Sequence, residues 1–151
     1  MQDVIDRKKK RGIKPEKIDF LGSYSVVVDT KYGIEELLQD IIQDHGRFHD
    51  EVHLAMNNNI KLIILVENKG GVISRTKYSN PTIRDLSELH SWKNPRLFIM
   101  QGGKQKYPRA TRGITLQKAC YTMEKKYGVK FLFCTPEESA KRIIEILNGG
   151  E

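Results

Sequence analysis

The segment Ser25-Val26-Val27-Val28-Asp29-Thr30-Lys31 predicts a β-strand that is apolar at its centre and ends in an acid and a lysine. Its Val26–Val28 run is apolar on both faces, which is typical of a strand covered on both sides. Apolar residues then recur at helical spacing from Gly33 to about Asn57. The apolar run Ile60–Glu67 predicts a second buried strand. A strand, a helix and a strand in succession indicate an α/β domain.

The chain on either side of this unit extends the same pattern. Upstream, residues 2–11 predict a short basic helix, and residues 17–20 predict a strand joined to Ser25–Lys31 by a tight turn at 21–24. The elements predicted downstream are a turn at 68–71, a short helix at 82–90, a basic loop at 99–113, a helix at 116–127, a strand at 129–134 and a helix at 136–147. We expect a central mixed β-sheet flanked by helices, in a single domain formed by residues 1–151.

The net charge of +7 is concentrated in one part of the chain. Between Leu89 and Met123 there is no acidic residue, while the seven basic residues there equal the whole excess of positive charge. A phosphate backbone is the polyanion that such a window suits, since neutralised phosphates release counterions. The alternative is a solvated loop that only aids solubility. The residues expected to bind DNA are Lys104, Lys106, Arg109, Arg112 and Lys118.

Other sequence features concern the cellular compartment. No stretch approaches the roughly 20 apolar residues that span a bilayer, and the first residues lack the apolar core of a secretory signal. We therefore expect no membrane partner and a cytoplasmic protein, in a bacterial or phage-infected cell. Cys120 and Cys134 lie too far apart for the usual short metal-ligand spacing, so both are expected to be reduced thiols.

Asp29 and Lys31 share one face of their strand, because residues i and i+2 point the same way. An acid and a lysine at the end of an apolar strand are costly to bury unless they serve each other or a ligand. A hairpin at residues 21–24 can bring Asp19 alongside Asp29, and two converging carboxylates suit Mg²⁺ or Mn²⁺. Such an ion activates a scissile phosphate and an attacking water, while Lys31 can stabilise the developing charge. The alternative is a plain Asp29–Lys31 ion pair with Asp19 capping the turn.

Several short motifs in this region resemble those of a known group of nucleases. Asp19 followed by Val27-Val28-Asp29-Thr30-Lys31 is similar to the PD-(D/E)-x-K signature of restriction-endonuclease-like enzymes. More narrowly, the run from Asp29 to Glu35 resembles the E-R-K-x-x-x-D motif of XPF-type nuclease domains. Gly46-Arg47-Phe48-His49-Asp50-Glu51 and Leu65-Val66-Glu67 resemble that family's G-R-F segment and its L-V-E strand. The likeness covers residues 16–68.

The resemblance implies a restriction-endonuclease-like core and divalent-metal-dependent cleavage of branched or structured DNA, such as flaps, forks or four-way junctions, often by a homodimer. It places Asp29 and the backbone carbonyl of Thr30 among the ligands of Mg²⁺ or Mn²⁺. Gly22-Ser23 stands where the family has a Gly-Asp pair, so we assign the role of that missing first carboxylate to Asp19. The predicted catalytic residues are then Asp19, Asp29, Lys31, Glu35 and Arg47.

Some of these residues also fit simpler roles. Arg47 can pair with Glu51 four residues on, and the carboxylate of Glu35 can stabilise the N-terminus of its helix through the helix dipole.

Histidines recur every four residues on the same predicted helix and raise the alternative of a zinc site, although the first of them fits the apolar stripe. They are His45, His49 and His53. Trp92 and Tyr107 are candidates for stacking on unpaired bases, although a lone tryptophan is more often part of the core.

Three functions follow from these observations. The leading hypothesis is a metal-dependent endodeoxyribonuclease, of a size that suits a phage or mobile-element protein acting in DNA repair or recombination. The alternative is a catalytically inactive DNA-binding or scaffold protein on the same fold, which Ser23 favours and which needs no divalent ion. A basic RNA-associated domain has only the charge in its favour.

Overall fold

The computed structural model describes residues 25–149, so the helix, strand and turn expected within residues 2–24 lie outside the described part, as does Asp19. Strand β1 (Ser25–Lys31) is followed by helix α1 (Ile34–Leu38), a π-helical segment (Gln39–Gln43), helix α2 (His45–Asn57) and strand β2 (Ile60–Glu67). The remaining elements are the short strands β3 (Gly71–Val72) and β4 (Ser79–Asn80), 3₁₀ turns at Leu86–Ser91 and Pro95–Phe98, the short strands β5 (Met100–Gln101) and β6 (Lys104–Gln105), helix α3 (Gly113–Tyr127), strand β7 (Lys130–Cys134), a 3₁₀ turn at Pro136–Glu138 and helix α4 (Ser139–Leu147).

The three long strands form a parallel sheet in the order β1-β2-β7. Lys31 at the end of β1 lies opposite Val66, and Glu67 at the end of β2 lies opposite Cys134. Parallel strands require crossover connections, and helices α1, α2 and α3 lie in these connections. The α/β prediction is therefore confirmed. The described long strands are all parallel, whereas a mixed sheet was predicted; the strand expected at 17–20 lies outside the described residues.

Apolar side chains cover both faces of this sheet, as the unbroken apolar runs in the sequence predict. One face of β1 contributes Val27 to a large core cluster shared with α1, α2 and α3. The other face contributes Val28 to a smaller cluster, in which Ile146 of α4 also lies. The sheet is thus a central layer, and polar side chains can reach solvent mainly at the strand ends.

The helix expected from Gly33 to about Asn57 is two helices separated by the π-helical segment. The Asp44 N–H donates to the Gln39 carbonyl at 2.7 Å, a hydrogen bond between residues five apart. A π turn of this kind widens the helix locally and is frequent at functional sites. Apolar spacing did not reveal it, because the buried side chains of α1 and α2 continue the same stripe across the break.

The region after β2 contains short strands and 3₁₀ turns that were not predicted. The helix expected at 82–90 is a 3₁₀ turn over Leu86–Ser91, capped by the Asp85 carboxylate, which accepts from the Ser87 N–H at 3.0 Å. The basic loop at 99–113 contains the β5–β6 hairpin, whose turn residues Gly102 and Gly103 adopt φ of 60° and 77°. Such a two-residue turn favours glycine at both positions.

Helix α3 begins at Gly113 rather than Leu116, and it packs closely on the chain before it. An added Cβ at Gly113 would lie 2.5 Å from the Trp92 carbonyl oxygen. Trp92 itself is 6% exposed and belongs to the large core cluster, so of the two roles considered for it the core role applies. None of the helices within residues 25–149 combines the length and the apolar character needed to cross a membrane.

Candidate active site

The carboxyl end of β1 brings Asp29 and Lys31 together. Both alternate with Thr30 and so extend the face of β1 that carries Val27. The Lys31 Nζ lies 3.1 Å from the Asp29 Oδ2, which confirms that the two side chains share a face. The lysine and aspartate side chains are 10% and 20% exposed, so the pair is largely removed from water.

A second carboxylate reaches the same lysine from the π-helical segment. The Asp40 Oδ2 contacts the Lys31 Nζ, and the Asp40 side chain is 12% exposed. Asp40 was not among the residues predicted for the site. The signal was present, because Asp40 follows Leu37 by three residues and precedes Ile41 on the buried stripe, where an acid is rarely tolerated without a partner.

The two carboxylates determine the charge of Lys31. Burial alone would lower the pKa of the lysine, because desolvation disfavours the ammonium. The hydrogen bond to Asp40 and the charge of Asp29 outweigh that effect, so the pKa of Lys31 is raised above its ordinary value of 10.5. Lys31 is therefore an ammonium at neutral pH, able to donate to an anionic oxygen and unable to accept a proton as a base.

Lys31 and Asp40 also line a small cleft with residues of α2 and of the bend before it. The other lining residues are Asp44, Arg47, Phe48 and Glu51. The volume of about 20 Å³ is enough for roughly one water molecule. The structure thus brings Asp29, Lys31 and Arg47 of the predicted set into one neighbourhood, with Arg47 exposed at its rim.

The donor chemistry of this neighbourhood fits a hard divalent ion. Carboxylate oxygens such as those of Asp29 and Asp40 are the ligands that Mg²⁺ and Mn²⁺ prefer. The Lys31 ammonium lies between these oxygens, and residues 25–149 contain no group of three His, Cys, Asp or Glu side chains placed to hold an ion. An ion shared by the two carboxylates therefore requires the ammonium to move aside.

The structure does not bring Glu35 into this cleft. Glu35 is exposed in the first turn of α1 and lines two other cavities, neither of which contains Asp29 or Lys31. The neighbouring Glu36 accepts a hydrogen bond from the Tyr32 N–H at 3.0 Å and so closes the turn after β1. The sequence match placed Glu35 by its spacing from Lys31, but the glycine turn and short helix direct it elsewhere. The roles of Asp19 and of the Thr30 carbonyl stay predictions.

The basic side chains expected to bind DNA are all exposed and follow the β5–β6 hairpin into α3. They are Lys104, Lys106, Arg109, Arg112 and Lys118. The buried amide of Asn94 fixes the base of this region, donating to the Thr111 carbonyl at 2.9 Å and accepting from the Arg96 N–H at 3.0 Å. The loop is thus attached to the core at both ends.

The three histidines of α2 form a row of rings on one side of the helix. The centroids of His45 and His49 are 6.0 Å apart, and those of His49 and His53 are 5.2 Å apart. The ring of Tyr127 lies 5.2 Å from that of His49, in an edge-to-face arrangement. The row is thus a set of ring contacts between α2 and α3, and it does not form a three-ligand zinc site within the described residues.

Both cysteines are buried free thiols, as predicted, and burial raises the pKa of each.

Comparisons of the chain with protein-family models, with curated proteins and with solved structures found no match.

Proposed function

We propose that this chain is a divalent-metal-dependent DNA endonuclease with a restriction-endonuclease-like core of the XPF type, hydrolysing phosphodiester bonds in branched DNA. One observation carries the proposal. The carboxylates of Asp29 and Asp40 converge on the Lys31 ammonium at a strand end. Two acids and a lysine in contact are the groups that metal-assisted phosphodiester hydrolysis employs.

The proposed roles follow from charge and position. Asp29 and Asp40 would hold the ion, with the Thr30 carbonyl as a further expected ligand. When bound, Mg²⁺ or Mn²⁺ supplies Lewis acidity and a water of lowered pKa. Lys31, which stays protonated, donates to a phosphate oxygen as its negative charge grows. Arg47 at the rim of the cleft can contact a neighbouring phosphate through two of its guanidinium nitrogens.

Cleavage of labelled duplex, single-stranded, flap and four-way-junction DNA tests the proposal, with Mg²⁺, Mn²⁺ or EDTA present. We expect metal-dependent cutting that Asp29→Ala abolishes while DNA binding is kept or improved, because the substitution removes a negative charge. Lys31→Ala should also abolish cutting. Asp50→Ala is the matched control, since Asp50 is an acid on α2 whose side chain is 88% exposed. Normal cleavage by Asp29→Ala would show that the site is misassigned.

The same assay decides which acid is the second metal ligand. If Asp40 holds the ion, Asp40→Asn should lower the cleavage rate by about a hundredfold or more, since loss of a catalytic electrostatic contact costs about 10²–10³ in kcat. Asp19→Asn should then cut at the rate of the unaltered chain. The reverse result would assign the ligand to Asp19 and leave Asp40 as the ion-pair partner of Lys31.

A second function is favoured by the same contacts. Because the Lys31 ammonium already satisfies both carboxylates, the cluster can persist without an ion in a DNA-binding or scaffold protein that does not cut. Tight DNA binding that is unaffected by EDTA, with no cleavage under any metal, would establish this function. The homodimer that the resemblance implies belongs to either proposal, and light scattering of the purified protein measures it.

A further inference from the structure

A larger groove lies between the α1–π region and the basic loop. Its volume is about 440 Å³, which is within the range of small-molecule sites. One wall carries polar side chains of the helical region, and the other carries cations of the loop. The polar side chains of the first wall are Glu35, Gln39 and Gln43, and the cations of the second wall are Arg96, Lys106 and Arg109. Neither Asp29 nor Lys31 lines this groove, so it is separate from the candidate active site.

The groove is electropositive. Its lining contains three cations against a single acid, Glu35. Among the residues that the structure describes, no carboxylate forms an ion pair with Arg96, Lys106 or Arg109. Cations that face one cavity and form no ion pair within the protein attract an anion into that cavity.

The cationic wall is held in place by the protein rather than by a ligand. Asn94 is 3% exposed, and its amide holds the backbone at Arg96 and at Thr111, which are two points on the rim of the groove. The Arg96 guanidinium lies 5.0 Å from the centroid of the Tyr107 ring, and the Lys106 Nζ lies 5.4 Å from it. The contact with the Tyr107 ring holds Arg96 beside the groove, where a planar guanidinium can stack on a base.

We propose that this groove holds one nucleotide of an unpaired DNA strand, with its phosphate on Lys106 and Arg109 and its base against the Arg96 guanidinium. The glutamine amides of the opposite wall supply donors and acceptors for the base edge. A volume of about 440 Å³ has room for one nucleotide, and a base that is paired within a duplex must leave the stack before it can enter a pocket of this kind. The proposal rests on the DNA binding proposed above but does not depend on cleavage.

Two double variants with the same change of charge test the proposal. Arg96→Gln with Arg109→Gln alters the groove, and Lys125→Gln with Lys126→Gln removes two exposed cations that neither line it nor belong to the set expected to bind DNA. Affinity is measured in EDTA by fluorescence anisotropy, on a short labelled oligo(dT) and on a hairpin duplex. We expect the groove variant to lose about tenfold or more in oligo(dT) affinity, and the control less than about threefold, because only the groove contacts are specific to the unpaired strand.

Salt dependence provides a second readout of the same variants. The slope of log affinity against log salt for oligo(dT) should fall by about 0.7 in the groove variant, since each phosphate contact to a single strand contributes about 0.7 and Arg109 is the phosphate contact that the variant removes. Equal losses of oligo(dT) affinity in the two variants would overturn the proposal. So would a groove variant that weakens duplex binding as much as oligo(dT) binding. Groove-dependent oligo(dT) binding without cutting under any metal would support the groove while refuting the nuclease.

Discussion

Replacing Lys31 with methionine keeps the length of the side chain and removes the charge that neutralises Asp29 and Asp40. The three side chains are at most one-fifth exposed, and loss of one partner from a buried ion pair costs about 3–5 kcal/mol. Because Asp29 retains some contact with water, we expect the lower end of that range, about 3 kcal/mol. For a chain of this size this corresponds to a fall in Tm of about 6–12 °C, measured by calorimetry in EDTA.

The same variant reports whether the two carboxylates can hold a metal. Without the ammonium the carboxylates repel each other, and a divalent ion can replace the lost charge. An ion at a hundred times its Kd stabilises the folded state by about 2.7 kcal/mol, which would restore most of the lost Tm. The unaltered chain should respond less, because Lys31 already lies between the carboxylates.

The control for that measurement is Lys31→Met combined with Asp40→Asn, which should lose the response to Mg²⁺ and Mn²⁺. If these ions raise the Tm of Lys31→Met no more than that of the unaltered chain, the converging carboxylates are not a metal site. In that case Lys31 and its two carboxylate partners form a structural ion pair.

Three further predictions concern the loop, a cap and a close contact. Replacing Arg109 and Arg112 with glutamine should weaken binding to all DNA sequences and reduce the salt slope by about 1 to 2, and an unchanged slope would exclude the loop as the DNA surface. Hydrogen bonds from the backbone N–H and the hydroxyl of Thr135 lower the pKa of Glu138 to about 2. The stability that the ionised Glu138 side chain contributes is complete above the ordinary pKa of 4.5 and is lost as the pH falls towards 2. Glu138→Gln should therefore have a lower Tm than the unaltered chain above pH 4.5, and this difference should disappear as the pH falls towards 2. A difference that persists at the low pH contradicts the prediction. Gly113→Ala should cost about 1–3 kcal/mol in denaturant unfolding, because the added Cβ would lie 2.5 Å from a carbonyl oxygen; full stability would show that this contact relaxes.

Strand periodicity was sufficient to predict the β1 end of the candidate site. The run Val26–Val28 and the run Ile60–Glu67 are apolar on both faces, and both strands are covered on both sides. The side-by-side placement of Asp29 and Lys31 follows from the same two-residue period, which any strand must obey. Local rules of this kind need no knowledge of the rest of the chain.

The features that the sequence analysis missed depend on tertiary contacts or on irregular backbone. Asp40 reaches Lys31 through a π turn, and the apolar stripe of the helix does not encode that turn. Glu35 was assigned by its spacing in a motif, whereas its direction is determined by the first turn of a short helix. The spacing of residues along a sequence predicts which side chains share a face within one helix or strand. It does not predict the direction of side chains beyond the ends of that element.

The position of β2 in the middle of the sheet has a consequence for the order of folding. Its partner β1 is separated from it only by α1, the π-helical segment and α2, whereas its partner β7 begins at Lys130. Closing the longer loop costs more chain entropy, so we expect β1 to pair with β2 before β7 does. Asp29, Lys31 and Asp40 all lie in the early unit, while the cationic wall of the groove lies in the later chain. A chain emerging from the ribosome would therefore assemble its carboxylate–lysine cluster before the cationic wall of the groove, and pulse-labelled hydrogen exchange should show β1 protected ahead of β7.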